Sequence, residues 1–126
     1  WNGENGRTFF YQSEIPYDPP DQRSWKSAPG VNGWASYKVA DNLTAHHAWG
    51  LGVYSVFEQP NVRLTHAFEV PVTKNVCFEH MITVALNNLG EISHVIDNTG
   101  GAATTDQPRV TPKVDVFPAG AAGCTP

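Results

Sequence analysis

Short runs rich in Val, Ile, Thr, Phe and Tyr recur along the chain, each closed within a few residues by Gly, Pro, Asn or Asp. This punctuation constrains the fold most. β-Branched and aromatic residues suit a pleated, half-buried surface, and turn residues at this density leave no room for a long helix. We read strands at Arg7–Gln12, Trp34–Val39, Gly50–Phe57, Val62–Val70, Val76–Leu86, Glu91–Ile96 and Val110–Phe117. Several alternate with period two. Val53, Ser55 and Phe57 are expected on one side, Tyr54 and Val56 on the other. Val114 and Val116 are likewise expected opposite Asp115 and Phe117. Only Asp41–Ala48 offers a helix-like start, and Trp49-Gly50 soon ends it. With 11 Gly and 10 Pro in 126 residues, the prediction is an all-β fold. Two architectures suit such strands: a β-sandwich or jelly roll, and a β-solenoid of stacked rungs.

Residues 1–126 read as one unit with two irregular parts. Pro16 to Gly33 holds four of the prolines and forms a long loop, a feature that in a compact domain is functional or disordered. Tyr17 and Trp25 inside it argue against plain disorder. Residues 118–126 form a small-residue tail, held only if Cys124 pairs. Cys77 and Cys124 allow one disulfide or two buried thiols, and two cysteines are too few for a zinc site.

Only 16% of residues are charged, below the roughly 25% usual in soluble domains. A net charge of −4 offers no basic face for a nucleic acid, and no apolar run is long enough to span a bilayer. Neither partner is expected. The first residue is Trp1, without initiator Met or signal-like segment, which suggests a processed polypeptide. Low charge and many aromatics lean towards a secreted, extracellular protein. Asn42-Leu43-Thr44 is a glycosylation sequon, usable unless Asn42 lies in a packed strand.

Among the acids, Glu14 stands apart. Phe9, Phe10, Tyr11 and Ile15 surround it in sequence, and Pro16 keeps Ile15 extended. A carboxyl stripped of water by such neighbours would gain a proton more readily and suit proton donation. The other reading is a strand-end glutamate pointing to water. No nucleophile triad stands out, and no cofactor is expected. His66, His80 and His94 are equally spaced and could meet as metal ligands only if stacked rungs aligned them; edge histidines are the simpler reading. Tyr11, Tyr17, Trp25, Trp34 and Trp49 include rings in Gly- or Pro-rich settings. Flat rings stack on the apolar faces of sugars, so as a set they make a carbohydrate ligand plausible.

Several stretches together carry a resemblance: GRTFFYQSEIPYD, NGWASYKVADNLTAHHAWGLGVYSVF and GEISHVIDNTGG. They are similar to the C-terminal part of fungal secreted proteins of glycoside hydrolase family 55, which are exo-acting β-1,3-glucanases. The resemblance implies right-handed parallel β-helix rungs from the end of a longer protein, with an N-terminal companion chain supplying the rest. It implies hydrolysis of β-1,3-glucan with inversion, and it carries the general-acid role onto Glu14 through Tyr11-Gln12-Ser13-Glu14. Tyr11, Gln12, Tyr17, His47 and Trp49 become the expected glucan contacts. No second acid is a convincing base, and Glu4 matches no family role. One departure stands out: the family pattern leads us to expect a glutamate where this chain has His47. A non-catalytic, lectin-like carbohydrate-binding domain, or a purely structural β-helix end, would share the same features.

Overall fold

The computed structural model describes residues 1–105, 109–121 and 124. Its strands are β1 (Gly6–Phe9), β2 (Gln12–Glu14), β3 (Lys26–Ala28), β4 (Val31–Asn32), β5 (Tyr37–Lys38), β6 (Ala45–Ser55), β7 (Arg63–Glu69), β8 (Asn75–Ala85), β9 (Glu91–Ile96) and β10 (Lys113–Phe117). The described residues contain no helix. The all-β expectation holds.

The chain alternates between two sheets. β1, β2, β6, β8 and β10 share one, and β5, β7 and β9 form the other. β1 and β2 both run parallel to β6, and β6 parallel to β8; in the other sheet β5, β7 and β9 are parallel throughout. Each pass lies in register over the next, so Ala45 sits beside Asn75 and Arg63 beside Glu91. Parallel pairing needs a long crossover between partners. Here the crossover is the strand of the opposite sheet. A sandwich or jelly roll of antiparallel hairpins does not give this pairing. Only β10, which covers the outer edge of β8, and the small β3–β4 hairpin pair antiparallel among the named strands.

The large sheet is folded along a corner. Phe10, Gly50 and His80 have φ of +57°, +69° and +56° and fall at one level on successive passes. A single left-handed residue shifts the side-chain alternation by one. Ala48 and Leu51 are therefore both buried, as are Phe78 and Met81. Gly50 adopts this conformation at no steric cost, whereas Phe10 and His80 each spend about 1–2 kcal/mol on it. Each pass thus has two faces meeting at the corner, and the β5-β7-β9 sheet closes a third side.

The corner also explains one departure from the expected alternation. Val53, Ser55 and Phe57 are buried and Tyr54 and Val56 are not, as anticipated. Phe117, expected opposite Val114, is buried with it. β10 crosses the corner, pairing Val114 with Met81 and Phe117 with Phe78. The helix-like start at Asp41–Ala48 is a second correction. Residues 41–42 form a turn and β6 begins at Ala45. There the Glu4 carboxylate accepts the amides of Thr44 and Ala45 at 2.9 and 3.0 Å, and His46 and Ala48 pair with Gly6 and Thr8. Strand pairing to a preceding pass overrides local propensity.

Phe57, Phe68, Phe78, Leu51, Leu64, Met81 and Ile92 fill the interior. The loop from Pro16 to Gly33 is ordered by Trp25, whose ring meets Phe57 edge-on at 5.6 Å, and by the β3–β4 hairpin. The Gln22 side-chain Oε1 accepts the Arg63 amide and Thr65 Oγ1 accepts the Asn32 amide, tying the loop to β7. Cys77 and Cys124 form a disulfide, so the two-thiol alternative falls and the tail is anchored to β8. Tail residues 122, 123, 125 and 126 lie outside the described residues.

His46 is fully buried among Tyr37, Phe78 and Trp1, with Nε2 bonded to the Tyr37 hydroxyl at 2.7 Å. Burial above all pulls its pKa from 6.5 to about 4. The folded state therefore holds it neutral while the unfolded chain protonates it. That contribution to stability is complete above pH 6.5 and is lost as pH falls towards 4. Denaturant melts across this window should show the wild type losing more stability than His46→Gln. Identical slopes for both proteins would remove His46 from the acid response.

Candidate functional site

On the face built from β2 and the second halves of β6 and β8, residues alternate strictly. Ser13, Val53 and Thr83 lie in one inward row. The outward rows are Gln12 with Gly52 and Ile82, and Glu14 with Tyr54 and Val84. Glu14 is exposed. This corrects the expectation that its aromatic neighbours in sequence strip it of water. Phe9 leaves for the adjacent face, where it stacks on Trp49 with centroids 4.8 Å apart and planes 8° from parallel. Phe10 turns the corner and is 87% exposed. Tyr11 points inward, packs edge-on to Tyr37 at 5.0 Å and donates its hydroxyl proton to the Ser36 carbonyl at 2.9 Å. Period-two geometry sends adjacent residues to opposite sides, so sequence neighbours are poor guides to the carboxyl's surroundings. Within this chain Glu14 is the strand-end glutamate pointing to water.

Tyr17 is the neighbour that does reach it. Pro16 redirects the chain at the end of β2, and the Glu58 amide donates to the Tyr17 carbonyl at 2.8 Å. The Tyr17 phenol then donates to Glu14 Oε2. That hydrogen bond to the carboxylate, above all, raises the Tyr17 pKa and keeps the phenol protonated. The carboxylate of this exposed residue is thereby fixed in orientation.

An open hollow of about 300 Å³ lies along the Gln12 row, lined by Phe10, Tyr11, Gln12, Gly52, Tyr54, His80 and Ile82 among others; Tyr54, the partner of Glu14 on the next row, borders it, and Glu14 itself does not. Gly52 makes room for the Tyr54 ring. A Cβ there would meet the Tyr54 hydroxyl at 3.1 Å, so the Tyr54 ring lies along its own strand over the glycine. Gln12, Glu14 and Tyr17 are thus brought together. Tyr54, Gly52 and Ile82 were missed by sequence reasoning. The alternation placed Tyr54 outward, but the register beside Glu14 is set by pairing that sequence does not display.

His47 and Trp49 sit across the corner, on the adjoining face. His47 lies beside Arg7 and Cys77, and its ring meets Trp49 edge-on at 5.7 Å. The position where a glutamate was expected is therefore not on the Glu14 row, and the histidine there leaves that row intact. Glu4 is held by the Thr44 amide first, which keeps its pKa below the ordinary value and gives it a structural task. Of the three spaced histidines, His66 and His94 stand in register, whereas His80 lies in the other sheet at the corner. Among the described residues the single ligand-like cluster is Cys77, Glu79 and Cys124, whose sulfurs are bonded to each other. Asn42 is exposed in the turn before β6, where a packed strand does not block the sequon.

Similarity to known proteins points the same way. No family model matches the chain. Over 107 residues, 84% of this chain, it is 41% identical to an exo-beta-1,3-glucanase from Streptomyces sp. (strain SirexAA-E / ActE), covering 18% of that protein. The solved structure of sacteLam55A from Streptomyces sp. SirexAA-E superposes with a TM-score of 0.87 at 39% identity, over 94% of this chain and 21% of the other. A glutamate-to-alanine variant of sacteLam55A in complex with glucose gives a TM-score of 0.85 at 38% identity, over 92% of this chain and 21% of the other. The chain thus spans about a fifth of the length of the proteins it resembles. These relatives come from Streptomyces rather than from a fungus.

Proposed function

We propose that this chain is the C-terminal part of a family 55 exo-β-1,3-glucanase and forms the last rungs of a right-handed parallel β-helix. The observation that carries this reading is Glu14. It stands on an outward row with Tyr54, oriented by the Tyr17 phenol, in a chain 41% identical to an exo-beta-1,3-glucanase. Glu14 is the general acid: it protonates the glycosidic oxygen as the bond to the departing glucan breaks. In an inverting hydrolase a water attacks from the opposite face of the ring, activated by a second carboxylate several ångströms away. Glu4 is committed to backbone amides, so that base belongs to the larger companion region. The same region would cover Glu14 and supply the dehydration that residues 9–11 do not. Gln12 and Tyr17 contact sugar beside the acid; His47 and Trp49, across the corner, face either sugar or the companion. The bound glucose in the variant neighbour accords with a sugar site in proteins of this build.

The protein is secreted, with Asn42 open to glycosylation if the host glycosylates sequons. The test is glucose release from laminarin by the full-length protein containing this chain and by its Glu14→Gln variant. Loss of release on substitution supports the reading, and unchanged release removes Glu14 from the mechanism. The exposure of Glu14 within this chain favours one alternative, a carbohydrate-binding domain without acid chemistry. It predicts laminarin binding with no sugar released by either protein.

A further inference from the structure

Tyr17 holds the Glu14 carboxylate, and Tyr17 is itself held from a distance. The peptide unit joining Phe57 to Glu58 is bonded on both sides. Its N–H donates to the Tyr17 carbonyl at 2.8 Å, and its C=O accepts Asn87 Nδ2 at 2.6 Å. Tyr17 follows β2, Phe57 and Glu58 follow β6, and Asn87 follows β8. Because β2, β6 and β8 are parallel neighbours in one sheet, a line of hydrogen bonds crosses their three loops. It ends at the Tyr17 phenol on Glu14 Oε2. We infer that Asn87 is a positioning residue for the acid: it fixes the Phe57–Glu58 peptide, which sets Tyr17 and through it the direction of the Glu14 carboxyl. The inference rests on the glucan-hydrolase reading and extends it two strands beyond the acid's own.

Phe57 is fully buried, so its carbonyl needs a donor from within the protein. A carbonyl only accepts, which assigns Nδ2 as the atom of Asn87 that faces it. Asn87 Oδ1 is buried and bonds to no described residue. An apolar side chain would avoid that cost but would release the Phe57–Glu58 peptide. The loops around this peptide are otherwise closely joined. The Leu86 amide donates to the Ser55 carbonyl at 2.9 Å and the Glu91 amide to the Val62 carbonyl at 3.2 Å. Gly90 lies so near that a Cβ there would run into the Phe57 ring. On the other side the Ile15 amide donates to the Tyr54 carbonyl at 2.9 Å. Within this frame the Asn87 bond sets the tilt of the one peptide that grips Tyr17. A misplacement of about 1 Å can cost about 10²-fold in rate at a reacting group. A tilt passed on through one backbone bond and one side chain is expected to cost less, about three- to tenfold.

The experiment follows laminarin hydrolysis by the full-length protein with Asn87→Ala or Asn87→Leu, each alone and combined with Tyr17→Phe. Leucine matches asparagine in size, so it removes the donor without leaving a hole. Each single Asn87 variant is expected to lower kcat about three- to tenfold with KM unchanged. An aryl β-glucoside whose leaving group needs no proton should be spared. In the Tyr17→Phe protein the same substitutions should add nothing, because the phenol through which Asn87 acts is gone. A purely structural asparagine would give losses that multiply and that fall on both substrates alike. A second readout needs no activity. In protein labelled at tyrosine Cζ, the resonance missing from Tyr17→Phe should titrate above the ordinary tyrosine range, owing first to the bond with Glu14. Asn87→Leu should bring it back towards that range. Losses that multiply, an unchanged kcat, or a Tyr17 titration unmoved by Asn87→Leu overturns the inference. If the unsubstituted protein releases no glucose, the hydrolase reading falls and the Tyr17 titration alone decides whether Asn87 fixes the pair. Glucose release with multiplying losses keeps the hydrolase and rejects Asn87.

Discussion

Replacing Glu14 with Gln is expected to slow glucose release from laminarin by about 10²–10⁴-fold, the usual contribution of a positioned general acid. Glutamine has the same shape, and its amide oxygen can still accept the Tyr17 phenol. The outward row and the hollow beside it should therefore survive, and laminarin should bind as before. Only the transferable proton is gone. An aryl β-glucoside whose leaving group departs without protonation should be largely spared by the substitution. That selectivity separates proton donation from a merely structural role. If both substrates are slowed equally, the loss is one of architecture and Glu14 is not the acid.

Phe78→Ala is expected to cost about 3–5 kcal/mol of stability. Phe78 is fully buried on β8 just before the corner. Its ring meets Tyr37 edge-on at 5.7 Å and lies 5.8 Å from His46 and 6.5 Å from Phe68, so it bridges the two sheets. Its lateral partners are Ala48 on β6 and Phe117 on β10. Ala48 is too small to fill the gap, and Phe117 is held by its own pairing, so a cavity would remain. Denaturant unfolding should show a marked fall in midpoint. A change under about 1 kcal/mol would mean that the interior collapses around the deletion, contrary to the rigid stacking described here.

Most of the strands could be read in advance because each signal is local. β-Branched runs and Gly or Asn punctuation mark where a strand begins and ends, and alternation assigned Val53, Ser55 and Phe57 correctly. The corner could not be read. Gly50 hints at a left-handed residue, but Phe10 and His80 carry no such mark, and their conformation follows from stacking on one another's passes. The same limit applies to the site. That Gln12, Glu14 and Tyr17 lie near one another could be anticipated because they are close in sequence, whereas Tyr54 joins them only through the register of β2 on β6. The side chain of Tyr11 shows the same limit from the other direction. It is adjacent in sequence and turned to the other side, its hydroxyl already taken by Ser36.

Proton NMR of laminarin hydrolysis by the full-length protein decides whether Glu14 acts as the acid of an inverting hydrolase, because the first glucose released records which face of the sugar water attacked. An inverting exo-β-1,3-glucanase with Glu14 as its acid releases glucose first as the α-anomer, and the Glu14→Gln protein releases almost none. Initial β-glucose, or α-glucose at an undiminished rate from the variant, would contradict the account.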